Sequence, residues 1–267
     1  MNERVSLEIR DQVAYVTLTR GEKYNGLDFD MFVGLVETAR RIRKDRSIRA
    51  VILRGDGPAF STGLDVASFF GKPGKALRIF LKYGIKTTNL AQEAAWCWRR
   101  LPVPVIAVVH GRCYGGALQI ALAADFRFST PDCEFSIMEV KWGLIPDMSG
   151  SVTLRELLPI DQAKRLTMTG ELFDGRRARE LNLVTDIGVD PLAMAEALVT
   201  EIKTRSPDAV AAAKALFQKT WAASERRAFA VETRLQWHMF LSRNQRVAVK
   251  AGLAKQTPTF GPRQYGG

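Results

Sequence analysis

Two short glycine loops, Phe60-Ser61-Thr62-Gly63-Leu64-Asp65 and Tyr114-Gly115-Gly116-Ala117-Leu118-Gln119, each stand where a strand pattern gives way to a helical one. Glycine beside a backbone N–H lets a carbonyl oxygen approach closely, so the amides of Leu64 and Gly116 are candidates for the two halves of an oxyanion hole. Downstream, Glu139 and Asp147 fall in Phe135-Ser136-Ile137-Met138-Glu139-Val140-Lys141-Trp142-Gly143-Leu144-Ile145-Pro146-Asp147 and offer carboxylates to move protons beside that hole. Read alone, either glycine loop fits a tight strand-to-helix turn with no ligand equally well. Glu139, among Ile137, Met138, Val140 and Trp142, fits an acid tuned by an apolar pocket or a solvent-facing strand residue. A nucleophilic triad reads poorly, because His110 and His238 are the only histidines and no Gly-x-Ser-x-Gly elbow occurs.

The elements that must position these residues alternate in the N-terminal half. A first strand is expected at 5–9, and short β-branched apolar runs at 13–19, 50–55 and 103–109 lie between helical patterns, which predicts α/β layering. Asp28 is placed to cap a helix carrying Met31, Phe32, Leu35, Val36 and Ala39. From 68 to 100 the pattern is mostly helical, broken near Gly71-Lys72-Pro73-Gly74. It carries Phe69, Phe70, Phe80, Tyr83, Trp96 and Trp98, rings that suit core packing and could also wall an acyl pocket. After Pro191 three helices are expected, at 192–204, 207–223 and 225–241. Their apolar stripes, Val210, Ala213, Leu216, Phe217 and Trp221, then Phe229, Leu235, Met239 and Phe240, need either the first domain or a neighbouring subunit to pack on. The tail from 257 to 267 is rich in Pro and Gly and is expected to be loosely held.

Composition narrows the function classes. With 267 residues, 46% of them hydrophobic, the chain can bury a large core as one α/β domain with a helical appendage. No apolar run approaches the roughly 20 residues of a membrane span, and no basic apolar leader precedes the first strand, so a cytoplasmic protein without a membrane partner is expected. Cys97, Cys113 and Cys133 are odd in number and widely spaced, which suits buried thiols in a reducing compartment better than disulfides or a metal site. The net charge of +11 and pI near 9.8 admit a polyanionic partner. The densest basic run, Arg40-Arg41-Ile42-Arg43-Lys44-Asp45-Arg46, reads as a solvated helix end, and no nucleic-acid-binding motif accompanies it. A small polyanion such as coenzyme A would use the charge more locally.

On these residues the chain resembles the crotonase superfamily, the enoyl-CoA hydratase/isomerase family, over nearly its whole length. The family's Phe-x-x-Gly-Ala-Asp loop is similar to residues Phe60 through Asp65, with Leu in place of Ala at Leu64. Its Asn-Gly-x-x-x-Gly-Gly-Gly loop is similar to His110-Gly111-Arg112-Cys113-Tyr114-Gly115-Gly116-Ala117, and its Pro-Glu-x-x-x-Gly-x-x-Pro motif to Met138-Glu139-Val140-Lys141-Trp142-Gly143-Leu144-Ile145-Pro146. The resemblance implies a spiral of ββα units over 1–190, a C-terminal helical trimerisation region over 191–256 and a flexible tail over 257–267, assembled as a homotrimer or a dimer of trimers. It further implies an acyl-CoA thioester substrate, with coenzyme A entering as part of that substrate and no covalently bound cofactor or metal. By the same resemblance Leu64 and Gly116 supply the oxyanion amides, Glu139 transfers the proton, and Ser61, Gly63, Asp65 and Lys255 meet coenzyme A.

Two departures bear on the reaction. Hydratases of the family carry a second glutamate where this chain has Gln119, and a glutamine orients water but exchanges no proton at neutral pH. Asp147 occupies a site that is often glycine in hydratases, whereas members that shift conjugated dienes use an aspartate there. The expectation is 2-enoyl/3-enoyl isomerisation through Glu139. Hydration through Glu139 with Gln119 or Asp147 is the alternative, and a low-turnover acyl-CoA-binding protein a further one.

Overall fold

The computed structural model describes residues 3–69, 73–82 and 87–266. Among them the chain runs β1 (Val5–Arg10), β2 (Val13–Leu18), α1 (Phe29–Lys44), β3 (Ala50–Gly55), α2 (Val66–Phe69), α3 (Pro73–Phe80), α4 (Leu90–Arg99), β4 (Val105–Val109), β5 (Arg112–Tyr114) and α5 (Gly116–Leu122). It continues through β6 (Phe126–Ser129), β7 (Glu134–Ser136), α6 (Gly150–Leu157), α7 (Ile160–Thr169), α8 (Gly175–Glu180), β8 (Asp186–Ile187), α9 (Pro191–Lys203), α10 (Pro207–Thr220), α11 (Glu225–Leu241) and α12 (Arg243–Leu253). The large sheet has the order β1-β2-β3-β4-β6-β8, antiparallel at β1–β2 and parallel elsewhere. A second, parallel pair joins β5 to β7, and single bridges at Leu27–Leu64, Ser61–Cys113 and Phe135–Phe173 lie outside the named strands. Successive coils therefore give one strand to the large sheet and the next to the small one, β4 then β5, β6 then β7. This is the expected α/β spiral of ββα units.

The central strands β2, β3 and β4 read as near-continuous apolar runs because both faces of the sheet are covered there. Ala14, Val16, Val51, Leu53, Val105 and Ala107 join the core shared with α1, α4 and α5. Their alternates Val13, Tyr15, Ala50, Ile52, Ile106 and Val108 pack with Ala195 and Val199 of α9. The Asp28 side chain caps α1 by accepting from Met31 N at 2.8 Å, and Phe32, Leu35, Val36 and Ala39 turn inward. The basic run ends α1 with Arg40, Arg41, Arg43, Lys44 and Arg46 exposed. In the 68–100 stretch, Trp98 is fully buried in the core. Phe70, Gly71, Lys72 and Tyr83 lie outside the described residues.

The C-terminal helices differ in how much of their stripes the chain itself covers. α9 covers the sheet, and α10 buries Ala211 and Ala212 and sets the Lys214 ammonium 2.6 Å from Asp125. On α11 only Val231 and Leu235 are buried, while Phe217, Trp221, Phe229 and Phe240 stay exposed. The tail differs from expectation. Asp208, wholly buried at the start of α10, accepts from Gln264 N (2.5 Å), Tyr265 N (2.8 Å), Ser242 Oγ (2.6 Å) and Asn244 Nδ2 (2.9 Å). Burial alone would push its carboxyl up, but these donors outweigh that and hold it below the usual range. Arg263 N bonds Arg46 O at 3.0 Å, so the segment is tied to the core rather than loose.

Cys97, Cys113 and Cys133 are buried and free. Among the described residues no helix is long and apolar enough to cross a membrane, and no cluster of His, Cys, Asp and Glu is arranged to hold a metal ion.

Candidate active site

Beyond β3 the first glycine loop is anchored by side chains on its far side. Asn25 Nδ2 donates to Asp56 O at 2.8 Å and Ala59 O at 2.9 Å, and its Oδ1 accepts from Arg20 N at 2.8 Å. The Ser61 hydroxyl, fully buried, donates to Asn25 O at 2.8 Å and accepts from Gly63 N at 3.2 Å. Asp65 pairs with the buried Arg20 guanidinium at 2.7 Å. Ser61 and Asp65 therefore use their side chains to shape the loop. The Ser61 hydroxyl, sealed in the core, is therefore not positioned to meet coenzyme A with its side chain.

The two loops touch. Ser61 N donates to Arg112 O and Tyr114 N to Ser61 O, both at 3.1 Å. Gly63 has φ +80°, and a Cβ there would lie 2.5 Å from Tyr114 O and 3.3 Å from Gly116 N. Only glycine permits this approach. Gly115 turns with φ 51° and ψ −121° to start α5, leaving Gly116 as its first residue. The N–H of a first helical residue has no partner within its helix. Neither the Leu64 nor the Gly116 amide donates to another group among the described residues, whereas Gly63 O and Leu27 O bind the chain on either side of Leu64. Two free donors on contacting loops are thus left at one face.

Glu139 enters this face from a 3-10 turn over Met138–Trp142. Gln119, one turn into α5, donates from Nε2 to Glu139 Oε1 at 2.6 Å. Its own carbonyl Oε1 is saturated by Met148 N at 2.8 Å and Gly150 N at 2.9 Å, which also fixes which end of the amide is oxygen. Ser149, between those two donors, holds φ 78°, a left-handed strain of about 1–3 kcal/mol for a non-glycine residue. Gln119 therefore braces Glu139 against the loop that carries Asp147. Glu139 Oε2 is buried and has no hydrogen-bond partner. Burial pushes the Glu139 carboxyl above its ordinary range, and the nearby Asp147 charge adds to the rise, while the bond from Gln119 pulls the other way. Burial pushes Asp147 up as well.

Leu64, Gly115, Gly116, Glu139 and Asp147 line one cavity of about 480 Å³. Phe69 and Phe80, from the aromatic stretch, also line it, with Phe32, Ile79, Met138, Trp142, Leu144, Ile145 and Met148. An oxygen held at the two amides would place the adjacent carbons in an apolar space served by two carboxyls of raised proton affinity. Gln119 lies behind Glu139 rather than in the lining, and Lys255, exposed just beyond α12, is not among the described lining residues. His110 Nε2 donates to Gly57 O at 2.9 Å and takes no place in the lining.

Sequence reasoning missed Arg20, Asn25, Ser149 and Met148. Asn25 had a local signal, since Asn in Tyr24-Asn25-Gly26 suits its φ of 53°. The others act through contacts distant in sequence.

A family model for enoyl-CoA hydratase/isomerase matches residues 8–263. The chain is similar to an (E)-benzylidenesuccinyl-CoA hydratase of Thauera aromatica, 32% identical over 79% of this chain and 80% of that one. An enoyl-CoA hydratase of Mycobacterium tuberculosis is 29% identical over 95% of both chains. Among solved structures, an enoyl-CoA hydratase from Mycobacterium tuberculosis H37Rv aligns with TM-score 0.85 and 27% identity, covering 97% of this chain and 99% of the other.

Proposed function

Because the chain belongs to the enoyl-CoA hydratase/isomerase family, within the crotonase superfamily, we propose that it shifts the double bond of an unsaturated acyl-CoA between the 3-enoyl and 2-enoyl positions. The observation that carries this reading is the Glu139 carboxylate, braced on one oxygen by Gln119 and without a hydrogen-bond partner on the other, in the cavity that both loop residues line. In the proposed reaction the thioester oxygen accepts from the Leu64 and Gly116 amides. Glu139 removes a proton from C2, the charge spreads to that oxygen as a dienolate, and Glu139 returns the proton at C4. Loss of one such donor typically slows turnover by about 10²–10³. One carboxylate suffices, because no atom is gained or lost.

Gln119 supports isomerisation over hydration by its bonding as well as its type. Its carbonyl is spent on two backbone amides, so it has no free acceptor with which to draw a proton from water. A second reading, hydration, is favoured by Asp147, a second carboxyl of raised proton affinity in the same cavity. Coenzyme A enters as part of the substrate, with no covalently bound cofactor. The exposed rings of α10 and α11 support assembly as a homotrimer or dimer of trimers. In such an assembly Lys255 and the Gly63 backbone would meet the coenzyme A of a site shared between copies. Three buried free thiols suit a reducing cytoplasm.

The test is proton NMR of 2-enoyl, 3-enoyl and 3,5-dienoyl thioesters incubated with the protein in deuterated water. Conversion of the 3-enoyl to the 2-enoyl thioester, with little deuterium in the product and no 3-hydroxyacyl thioester, is expected. A dominant 3-hydroxyacyl product would replace this reading with hydration.

A further inference from the structure

A second cavity, of about 500 Å³, has no described lining residue in common with the first. Helix α5 connects them: Gly116, its first residue, lines the active-site cavity, and Leu122, its last, lines this one, roughly 9 Å along the helix. Leu122, Leu157 and Val210 give the second cavity apolar walls, and Phe217 and Trp221, exposed and edge to face, add two rings. Its charged lining residues are Arg99, Arg127, Lys214, Asp125 and Glu156, an excess of one cation. The two acids are already matched, Asp125 by Lys214 at 2.6 Å and Glu156 by Arg99 at 2.5 Å. Arg127 is the cation left over. It is only 6% exposed, and its bonds go to uncharged carbonyls, from Nε to Leu183 O at 2.8 Å and from Nη1 to Ala124 O at 2.7 Å. Among the described residues no carboxylate comes within ion-pair distance of it, and the residues outside that set include no Asp or Glu. Burial pushes its guanidinium down to about 10, which leaves it charged at neutral pH.

We propose that this second cavity binds an amphipathic monocarboxylate, an apolar body ending in one carboxylate group, of which a medium-chain fatty acid is the simplest case. The planar fork of Arg127 matches a carboxylate, and a charge-assisted hydrogen bond is about twice as strong as a neutral one. The aliphatic and aromatic walls take the rest of the molecule out of water. An alcohol of the same length keeps only that second contribution, and an ammonium meets the surplus cation instead. The volume falls within the roughly 300–1,000 Å³ usual for small-molecule sites. This site stands apart from the reaction proposed above and does not depend on it.

Calorimetric titration of the whole chain with octanoate, 1-octanol and octylammonium, matched in length and different in charge, tests this. Octanoate should bind at least about tenfold more tightly than 1-octanol, and octylammonium should show no saturable binding. Two near-isosteric substitutions shift the charge of the lining in opposite directions. Glu156→Gln releases Arg99 and should raise octanoate affinity about fivefold, whereas Gln218→Glu adds an acid and should lower it about as much, with folding checked by circular dichroism. Saturating octanoyl-CoA should not displace octanoate, because the active-site cavity is the other one. Equal binding of octanoate and 1-octanol by the wild-type protein, or no binding of octanoate, would overturn the proposal. So would displacement by octanoyl-CoA, or an octanoate affinity that neither substitution moves.

Discussion

Glu139 is chemically useful because its two oxygens are treated differently. One is pinned by Gln119 and the other is buried without a partner, so the carboxyl is held in place yet left with proton affinity to spend. If its ionised form is the base, activity rises with pH through the raised carboxyl pKa, and the acid limb of kcat/KM lies above the ordinary carboxylate range. Gln119→Leu removes a donor that favours the ionised form. Its acid limb should move to still higher pH, which a pH–rate series on the folded variant measures. An unmoved limb would mean that Gln119 only fills space. The types of these residues were legible in the sequence, as were the two loops and the acids at Glu139 and Asp147. The brace was not, because it depends on Met148 and Gly150 amides that Ser149 turns toward one oxygen.

At the level of elements, the site exists because two strand-to-helix loops from neighbouring coils meet backbone to backbone. Gly63→Ala tests that contact directly, since its Cβ would lie 2.5 Å from Tyr114 O at a φ of +80°. Strain of about 1–3 kcal/mol should lower the melting temperature by roughly 2–10 °C. Turnover should fall further than the lost folded fraction explains, because the Gly116 amide is displaced with Tyr114; melting curves and kcat on one preparation separate the two effects. Strand and helix positions were readable from apolar runs buried on both faces, and β3 and α11 coincide with the expected 50–55 and 225–241. The tail was misread because Pro and Gly signal looseness locally. Four donors gathered on one buried carboxylate, Asp208, outweigh that signal and leave no mark in the tail itself.

The whole molecule combines an excess of 11 positive charges with a C-terminal face of exposed rings. Under the proposed assembly, Lys255 contacts phosphates far from the reacting carbon, and such a contact is the same in the ground and transition states. Lys255→Glu should raise KM several-fold with kcat nearly unchanged, and added salt should weaken wild-type substrate binding; steady-state kinetics over a salt series reads both. An unchanged KM would remove Lys255 from the site. Fold, loops and brace converge on one claim, that a single carboxylate moves the proton. The direct measurement is the single-turnover rate of 3-enoyl-CoA conversion by Glu139→Gln, with octanoyl-CoA affinity measured on the same protein. The account predicts a loss of about a thousandfold or more with that affinity retained. A near-normal rate in the folded variant would contradict it.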